Sequence, residues 1–353
     1  MKNNYFTLQE ILSQPEVWSR IEQVIMEKEK DLKDLFSHKT QKVIFTGCGS
    51  SYYLALTANR AFNYFTGRYA LALPASEIIF YPEIYLRENE NLLLIPISRS
   101  GESTETVDAL LKVKENSNAK VLGVSCFEES SLVRKSDVSL VITQAKEKSV
   151  VMTRSFTSML LALLFTFSLI GESKKHYLEL QKVSKLAEGI IQKYRPFCEQ
   201  IIKECNCEKF VYLGSGPFYG LACEGALKMK EMANVSCETY HVLEYIHGPK
   251  STADKKTMIF LLLPEKKNEY LNKFLQELTA LEVQIFLECD KATSDIKGNK
   301  VKWIVEMNSD FSDFTRGLLY MLPLQLIAFY NTVKRGLNPD KPQNLTQVVR
   351  YYL

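Results

Sequence analysis

Val43-Ile44-Phe45-Thr46-Gly47-Cys48-Gly49 runs directly into Ser50-Ser51-Tyr52-Tyr53-Leu54-Ala55: an apolar stretch, a Gly-x-Gly turn and the start of a helical pattern. The same order returns 167 positions later as Phe210-Val211-Tyr212-Leu213-Gly214-Ser215-Gly216, then Pro217-Phe218-Tyr219-Gly220-Leu221-Ala222. A lone Gly-x-Gly is common. Here the apolar run, the turn and a Tyr two residues before Leu-Ala keep register in both places, which reads as a duplicated domain.

Outward from these turns, short apolar or β-branched runs alternate with longer helical patterns. Strands are predicted at Lys42–Phe45, Leu92–Ile97, Lys120–Ser125 and Val138–Thr143, then at Phe210–Leu213, Met258–Leu263, Val283–Glu288 and Val301–Val305. Helices are predicted to begin near Ser51, Ser103, Ser130 and Ser155, and again near Pro217, Glu269 and Phe314. This alternation is that of βαβ units, so the fold class is α/β, with a parallel sheet flanked by helices in each half. Thr7-Leu8-Gln9-Glu10 has the form of a capping box ahead of an apolar helical repeat. The resulting division is an N-terminal helical region over 1–37, a first domain over 38–172, a connecting helix over 173–205, a second domain over 206–335 and a tail over 336–353.

The chain has 353 residues, too many for one ordinary core, and 44 basic against 41 acidic side chains leave a net charge of only +3. No segment concentrates that excess, so nucleic acid and anionic membrane are poor partners. Met159–Ile170 is a strongly apolar run but too short to span about 30 Å of hydrocarbon, and it reads as a helix buried in a core. The N-terminus lacks an apolar signal segment, so secretion is not expected. The eight cysteines include no CxxC pair, and no second pair stands near Cys205 and Cys207 to complete a metal site. They read as reduced thiols of a cytoplasmic protein. Cys48, in a glycine turn, is a minor candidate for a nucleophile.

In a parallel sheet, ligands collect where strand ends lead into helix N-termini, which offer unpaired N–H groups to an anion. Ser50 and Ser51 stand at such a place. A second loop carries the same logic more strongly: the strand ending at Ile97 leads into Ser98-Arg99-Ser100-Gly101-Glu102-Ser103-Thr104-Glu105-Thr106. Short hydroxyls reach phosphate oxygens without bulk, and Arg99 adds a charge. An ordinary N-cap would account for one of these hydroxyls, not five. The second half has Pro217 and Phe218 in place of Ser50 and Ser51, and its corresponding strand runs into Pro264-Glu265-Lys266 with no serine loop. One copy kept an anion site that the other lost.

With these loops the chain resembles the sugar isomerase (SIS) domain family in its tandem form. The resemblance rests on six motifs in order: Gly47–Ser51, Ser98–Thr104, Val150–Thr157, Glu224–Glu231, Glu244–Ser251 and Asn338–Leu345. It implies two three-layer αβα domains of flavodoxin-like type and a tail that closes the active site. The implied ligand is a sugar phosphate, with no cofactor and no metal, held at its phosphate by Ser50, Ser51, Ser98, Arg99, Ser100 and Ser103. It also implies that Glu231 moves a proton between C1 and C2 of the open-chain sugar, that His247 opens the ring, and that Lys228, three residues before Glu231, tunes its carboxylate. Gly49, Thr153 and Gln347 are further candidate contacts. Tandem members are usually homodimers, in which His247 could come from the neighbouring subunit. Read without the resemblance, Glu224, Lys228 and Glu231 could equally form a solvated helix face, and His247 a turn histidine.

The family's synthases carry a Schiff-base lysine after the Asn-Leu pair of the C-terminal segment. Here Asn344-Leu345-Thr346 is followed by Gln347, which forms no imine. The first 40 residues supply no N-terminal cysteine nucleophile, so synthesis from glutamine is not expected. These points favour release of an amine, with glucosamine-6-phosphate deaminase as the leading expectation. A tagatose-6-phosphate type isomerase, a fructosamine-6-phosphate deglycase and a non-catalytic sugar-phosphate sensor are the alternatives.

Overall fold

The computed structural model describes residues 4–37, 42–88, 90–266, 269–299 and 301–350. The boundary expected between residues 37 and 38 abuts residues 38–41, and the expected tail ends at 351–353; both stretches lie outside the described residues. The chain divides into two units, one of Leu12–Ser184 with Asn344–Leu353, the other of Met1–Ile11 with Lys185–Gln343.

In the first unit, β1 (Lys42–Gly47), β2 (Ala70–Pro74), β3 (Asn91–Pro96), β4 (Asn118–Ser125) and β5 (Val138–Val141) form one sheet in the order β2-β1-β3-β4-β5. Every neighbouring pair is parallel, with Phe45 opposite Ala72 on one side and Ile95 on the other. In the second unit, β6 (Lys209–Leu213), β7 (Cys237–Tyr240), β8 (Thr257–Leu262), β9 (Gln284–Cys289) and β10 (Trp303–Glu306) form a second parallel sheet in the order β10-β9-β8-β6-β7. Numbered from each unit's first strand, both sheets run 2-1-3-4-5, so the duplication read from the sequence extends to topology. Their central strands are buried on both faces, which explains their continuous apolar character.

The repeated glycines have matching duties in the two units. Gly49 and Gly216 take left-handed backbone angles, φ 55° and 59°, which an L side chain rarely adopts. A Cβ on Gly47 would lie 2.8 Å from the Ser51 Cβ, and one on Gly214 would lie 2.4 Å from the Phe218 carbonyl oxygen. Each unit therefore closes the strand-to-helix turn by letting backbone pass where no side chain fits.

The helix Arg154–Ile170 contains the apolar run and is buried from Ser155 to Ser168. It packs on the Ser50–Thr66 helix, where Phe45, Phe62 and Phe167 meet edge to face at 5.3–5.8 Å between ring centroids. Burying each such ring contributes on the order of 1.5–3 kcal/mol. Among the described residues no helix is long and apolar enough to cross a membrane. In the second unit the Phe218–Ala233 helix packs on Asp313–Lys334, and both bury most of their surface.

Two sequence expectations need correction. Each sheet has five strands, not four, and the unforeseen ones, β2 and β7, are both edge strands beside the first strand of their unit. Ala70–Pro74 contains no β-branched residue, and Cys237–Tyr240 is short and half exposed, so neither carries a strong strand signal. The capping box at Thr7 does not form. The helix already begins at Phe6, and Asp340 caps it instead: its carboxylate accepts from the Phe6 amide at 2.9 Å, and from the Thr7 amide and hydroxyl at 2.8 and 2.7 Å.

Glu288 on β9 is wholly buried, and neither carboxyl oxygen has a hydrogen-bond partner among the described residues. Burial holds its pKa well above the ordinary carboxylate value. Below the unfolded pKa both states are protonated and the group has no effect. Above it the unfolded chain ionises first, so stability falls with rising pH until the folded pKa is reached. Glu288→Gln should flatten that slope, removing a loss of about 1.4 kcal/mol per pH unit within the window. Urea unfolding at pH 5 and pH 8 checks it; equal slopes for parent and variant would refute the assignment.

Candidate functional site

The serine loops lie at the carboxyl ends of β1 and β3, which are neighbours in the sheet. In the order 2-1-3-4-5, the chain leaves these two strands towards opposite faces, and the crevice between them is the expected ligand position. Ser50 and Ser51 occupy the first turn of the Ser50–Thr66 helix and are 6% and 5% exposed. Gly49 contributes the backbone turn ahead of them. Across the crevice, the Ser98 hydroxyl accepts from the Gly101 amide at 3.1 Å and pairs with the Ser103 hydroxyl at 3.2 Å. The Ser100 hydroxyl accepts from the Glu102 amide at 3.1 Å. Five of the six expected phosphate contacts are thus hydroxyls on two adjacent loops of one unit.

Arg99 points elsewhere. Its guanidinium donates to Glu147 Oε2 at 3.1 Å, to the Val150 carbonyl at 2.8 Å and to the Gln347 carbonyl at 3.0 Å. Both side chains of the Arg99–Glu147 pair are buried. Glu147 also accepts from the Thr153 amide at 2.7 Å and its hydroxyl at 3.0 Å, and from the amide and hydroxyl of Ser155. Thr153 is fully buried by this arrangement. The Gln347 side-chain amide donates to the carbonyls of Glu147 at 3.1 Å and Ser149 at 3.4 Å. Arg99, Glu147 and Gln347 therefore form one knot that anchors the C-terminal segment beside the serine loop.

Glu147 escaped the sequence reading. The one signal for it was indirect: a buried arginine behind a buried strand requires a carboxylate partner, and Glu147 precedes the Val150–Thr157 motif. A cleft of about 480 Å³ opens beside the knot, walled by Arg99, Ser100, Lys146, Gln347 and Arg350 among others. It takes in Ser100 but not Ser50, Ser51, Ser98 or Ser103, so cleft and hydroxyl cradle meet at Ser100.

In the second unit, Glu224, Lys228 and Glu231 share one side of the Phe218–Ala233 helix, as their spacing requires. They do not form a solvated face. Lys228 and Glu224 are wholly buried, with Nζ 3.2 Å from Glu224 Oε1 and hydrogen-bonded to Glu231 Oε2. Burial opposes the lysine's charge, but Glu224 and Glu231 outweigh it and hold its pKa above the ordinary lysine value. Glu231 keeps 20% of its side chain exposed. The result is a carboxylate fixed from behind by a buried cation and open in front, a geometry suited to taking and returning a proton.

His247 is exposed and follows the 3-10 turn Leu243–Ile246, its amide donating to the Glu244 carbonyl at 3.1 Å. Cys48 lies 3.6 Å from the Thr106 hydroxyl, and burial pushes its thiol up, the reverse of nucleophile activation. Among the described residues no group of three or more His, Cys, Asp or Glu side chains is placed to hold a metal ion.

Known proteins resemble the chain along nearly its whole length. The glutamine–fructose-6-phosphate aminotransferase (isomerizing) of Francisella tularensis subsp. tularensis is 30% identical over 369 aligned positions, covering 98% of this chain but 58% of that protein. The chain thus spans little more than half the length of that relative. Among solved structures, a Clostridium novyi NT protein provisionally described as a tagatose-6-phosphate ketose/aldose isomerase superposes with a TM-score of 0.91 at 26% identity, covering 99% of this chain and 94% of the other. Glucosamine-6-phosphate deaminase of Thermotoga maritima superposes with a TM-score of 0.79 at 28% identity, covering 98% and 99%. Residues 35–169 and 205–335 each match the SIS domain, one match on each five-stranded sheet, and the chain belongs to the SIS domain family as a tandem member.

Proposed function

We propose that this chain is a phosphosugar isomerase-type enzyme, and specifically a glucosamine-6-phosphate deaminase that isomerises its substrate before releasing ammonia. The observation that carries the reading is Glu231: a partly open carboxylate hydrogen-bonded to a wholly buried, charged Lys228. In the proposed reaction the hydroxyls of Ser50, Ser51, Ser98, Ser100 and Ser103 hold the phosphate, and His247 assists ring opening. Glu231 removes the C2 proton of the open-chain amino sugar and returns it at C1. The C2 imine so formed takes up water and loses ammonia, leaving fructose 6-phosphate. The sequence is redox-neutral, so it needs no electron acceptor.

Gln347 supports release of an amine over its capture. It cannot form an imine, and its amide is already engaged by two backbone carbonyls. A substrate that brings its own nitrogen does not need a lysine there. A simple ketose/aldose isomerase is the second reading, favoured by the likeness to the Clostridium novyi NT protein. We further propose that the enzyme works as a homodimer with His247 contributed by the neighbouring subunit.

Purified protein should release ammonia from glucosamine 6-phosphate, and Glu231→Gln should lower that rate by about 10²–10⁴-fold while leaving binding of the sugar phosphate intact. Interconversion of tagatose and fructose phosphates without ammonia would select the second reading. An unimpaired Glu231→Gln enzyme would refute both.

Mixing inactive Glu231→Gln and His247→Ala homodimers should restore about a quarter of parental activity after subunit exchange if the sites are shared; no recovery would place His247 in its own subunit's site.

Arg99→Met should expose the segment around Gln347 to limited proteolysis, since removing one partner of a buried pair costs about 3–5 kcal/mol of stability, and should raise KM by roughly tenfold. A raised KM with unchanged proteolysis would instead return Arg99 to direct phosphate binding.

A further inference from the structure

Cys205 and Cys207 are the only two of the eight cysteines separated by a single residue. They sit in the short link between the Lys174–Glu204 helix and β6. Cys205 ends the helix, its amide donating to the Ile201 carbonyl at 2.9 Å, and its side chain is 7% exposed. Cys207 is half-buried and the more accessible of the two. The two thiols are hydrogen-bonded to each other, and the Cys207 amide donates to Cys205 Sγ at 3.4 Å. Lys334 is anchored at this point, its ammonium 2.6 Å from the Cys205 carbonyl and 2.8 Å from that of Ile202.

This environment favours one shared negative charge. The hydrogen bond from Cys207, with the nearby Lys334 and Lys302, brings the Cys205 thiol down to about 6, against the opposing effect of burial. The same hydrogen bond, with burial, pushes the Cys207 thiol up, and burial raises the thiols of Cys48, Cys126, Cys198, Cys223 and Cys237. A Cys-x-Cys spacing can take up the roughly 4.4–6.8 Å Cα separation of disulfides, since two residues of extended chain span at most about 7 Å.

We propose that Cys205 and Cys207 form a redox site, a dithiol that a low-molecular-weight disulfide converts to an intramolecular disulfide. The Cys205 thiolate attacks one sulfur of the small disulfide, forming a mixed disulfide and expelling the first small thiolate. That thiolate takes the proton from Cys207. The Cys207 thiolate then attacks Cys205 Sγ and expels the second small thiolate. Two protein sulfurs are oxidised, the small disulfide is reduced to a thiol and a thiolate, and a dithiol reductant reverses the change. The step leaves Lys334 beside a neutral bond in place of an anion. The proposal does not depend on the sugar chemistry assigned above.

The test is to expose the full chain to glutathione disulfide, alkylate the remaining thiols and map the peptides by mass spectrometry. The Cys205–Cys207 disulfide should form at least about tenfold faster than any other cysteine is modified, because the thiolate is the reacting species. Dithiothreitol should reverse it. Cys207→Ser should halt the reaction at a glutathione mixed disulfide on Cys205, having no second sulfur to resolve it. Oxidation spread evenly over the eight cysteines, or a Cys207→Ser protein with Cys205 unmodified, would overturn the proposal.

Discussion

Backbone has to cross backbone at the end of the first strand of each unit, and the space left there admits no side chain. Gly47 and Gly214 meet that demand, and Gly49 and Gly216 turn the chain after them. Once the turn closes, the following helix lies against its parent strand and the second strand pairs in parallel beside it. The order 2-1-3-4-5 then places the ends of the first and third strands side by side. In the first unit these ends carry Ser50, Ser51 and Ser98–Ser103. In the second they carry Pro217, Phe218 and Pro264, so the same architecture frames a hydroxyl-lined crevice in one copy and lacks the serine run in the other.

Charge in the interior is handled by pairing in both units, with different results. Arg99 and Glu147 neutralise each other completely and organise backbone around themselves: the Thr153 turn, the Val150 carbonyl and the segment at Gln347. Lys228 lies between two carboxylates, so the group Glu224–Lys228–Glu231 carries excess negative charge, with Glu231 as its exposed end. A fully compensated pair suits a structural joint. A cluster with a partly open carboxylate suits proton transfer. Glu288 stands apart from both, a buried carboxyl with no hydrogen-bond partner among the described residues, and its proton takes the place of a counter-ion.

Much of this was legible in the residues because it is local. Apolar runs bounded by Gly-x-Gly located β1 and β6, and the hydroxyl run after Ile97 located the crevice. The spacing of Glu224, Lys228 and Glu231 put them on one side of a helix. It could not reveal that this side faces the interior, because burial depends on what the helix packs against. The same limit hid Glu147, which is distant from Arg99 in sequence and conspicuous only once the chain is folded. The edge strands β2 and β7 were missed because half-exposed strands with one hydrogen-bonded neighbour can be built from residues with little strand preference. Thr7 shows the converse: a local capping signal was present, but Asp340 supplied the cap from the far end of the chain.

The division into units also bears on how such a chain can be cut and recombined. The polypeptide passes from one unit to the other after Ile11, after Ser184 and after Gln343. A gene fragment encoding only the first half would lack Gln347, whose carbonyl accepts from Arg99, and one beginning at Lys185 would lack the helix that Asp340 caps. The repeat is modular in its ancestry but not in its present connectivity. Each copy has a terminal segment of the chain built into it, so a duplication that began as two interchangeable domains has become one that neither recombination nor truncation can divide at its sequence midpoint without removing part of each.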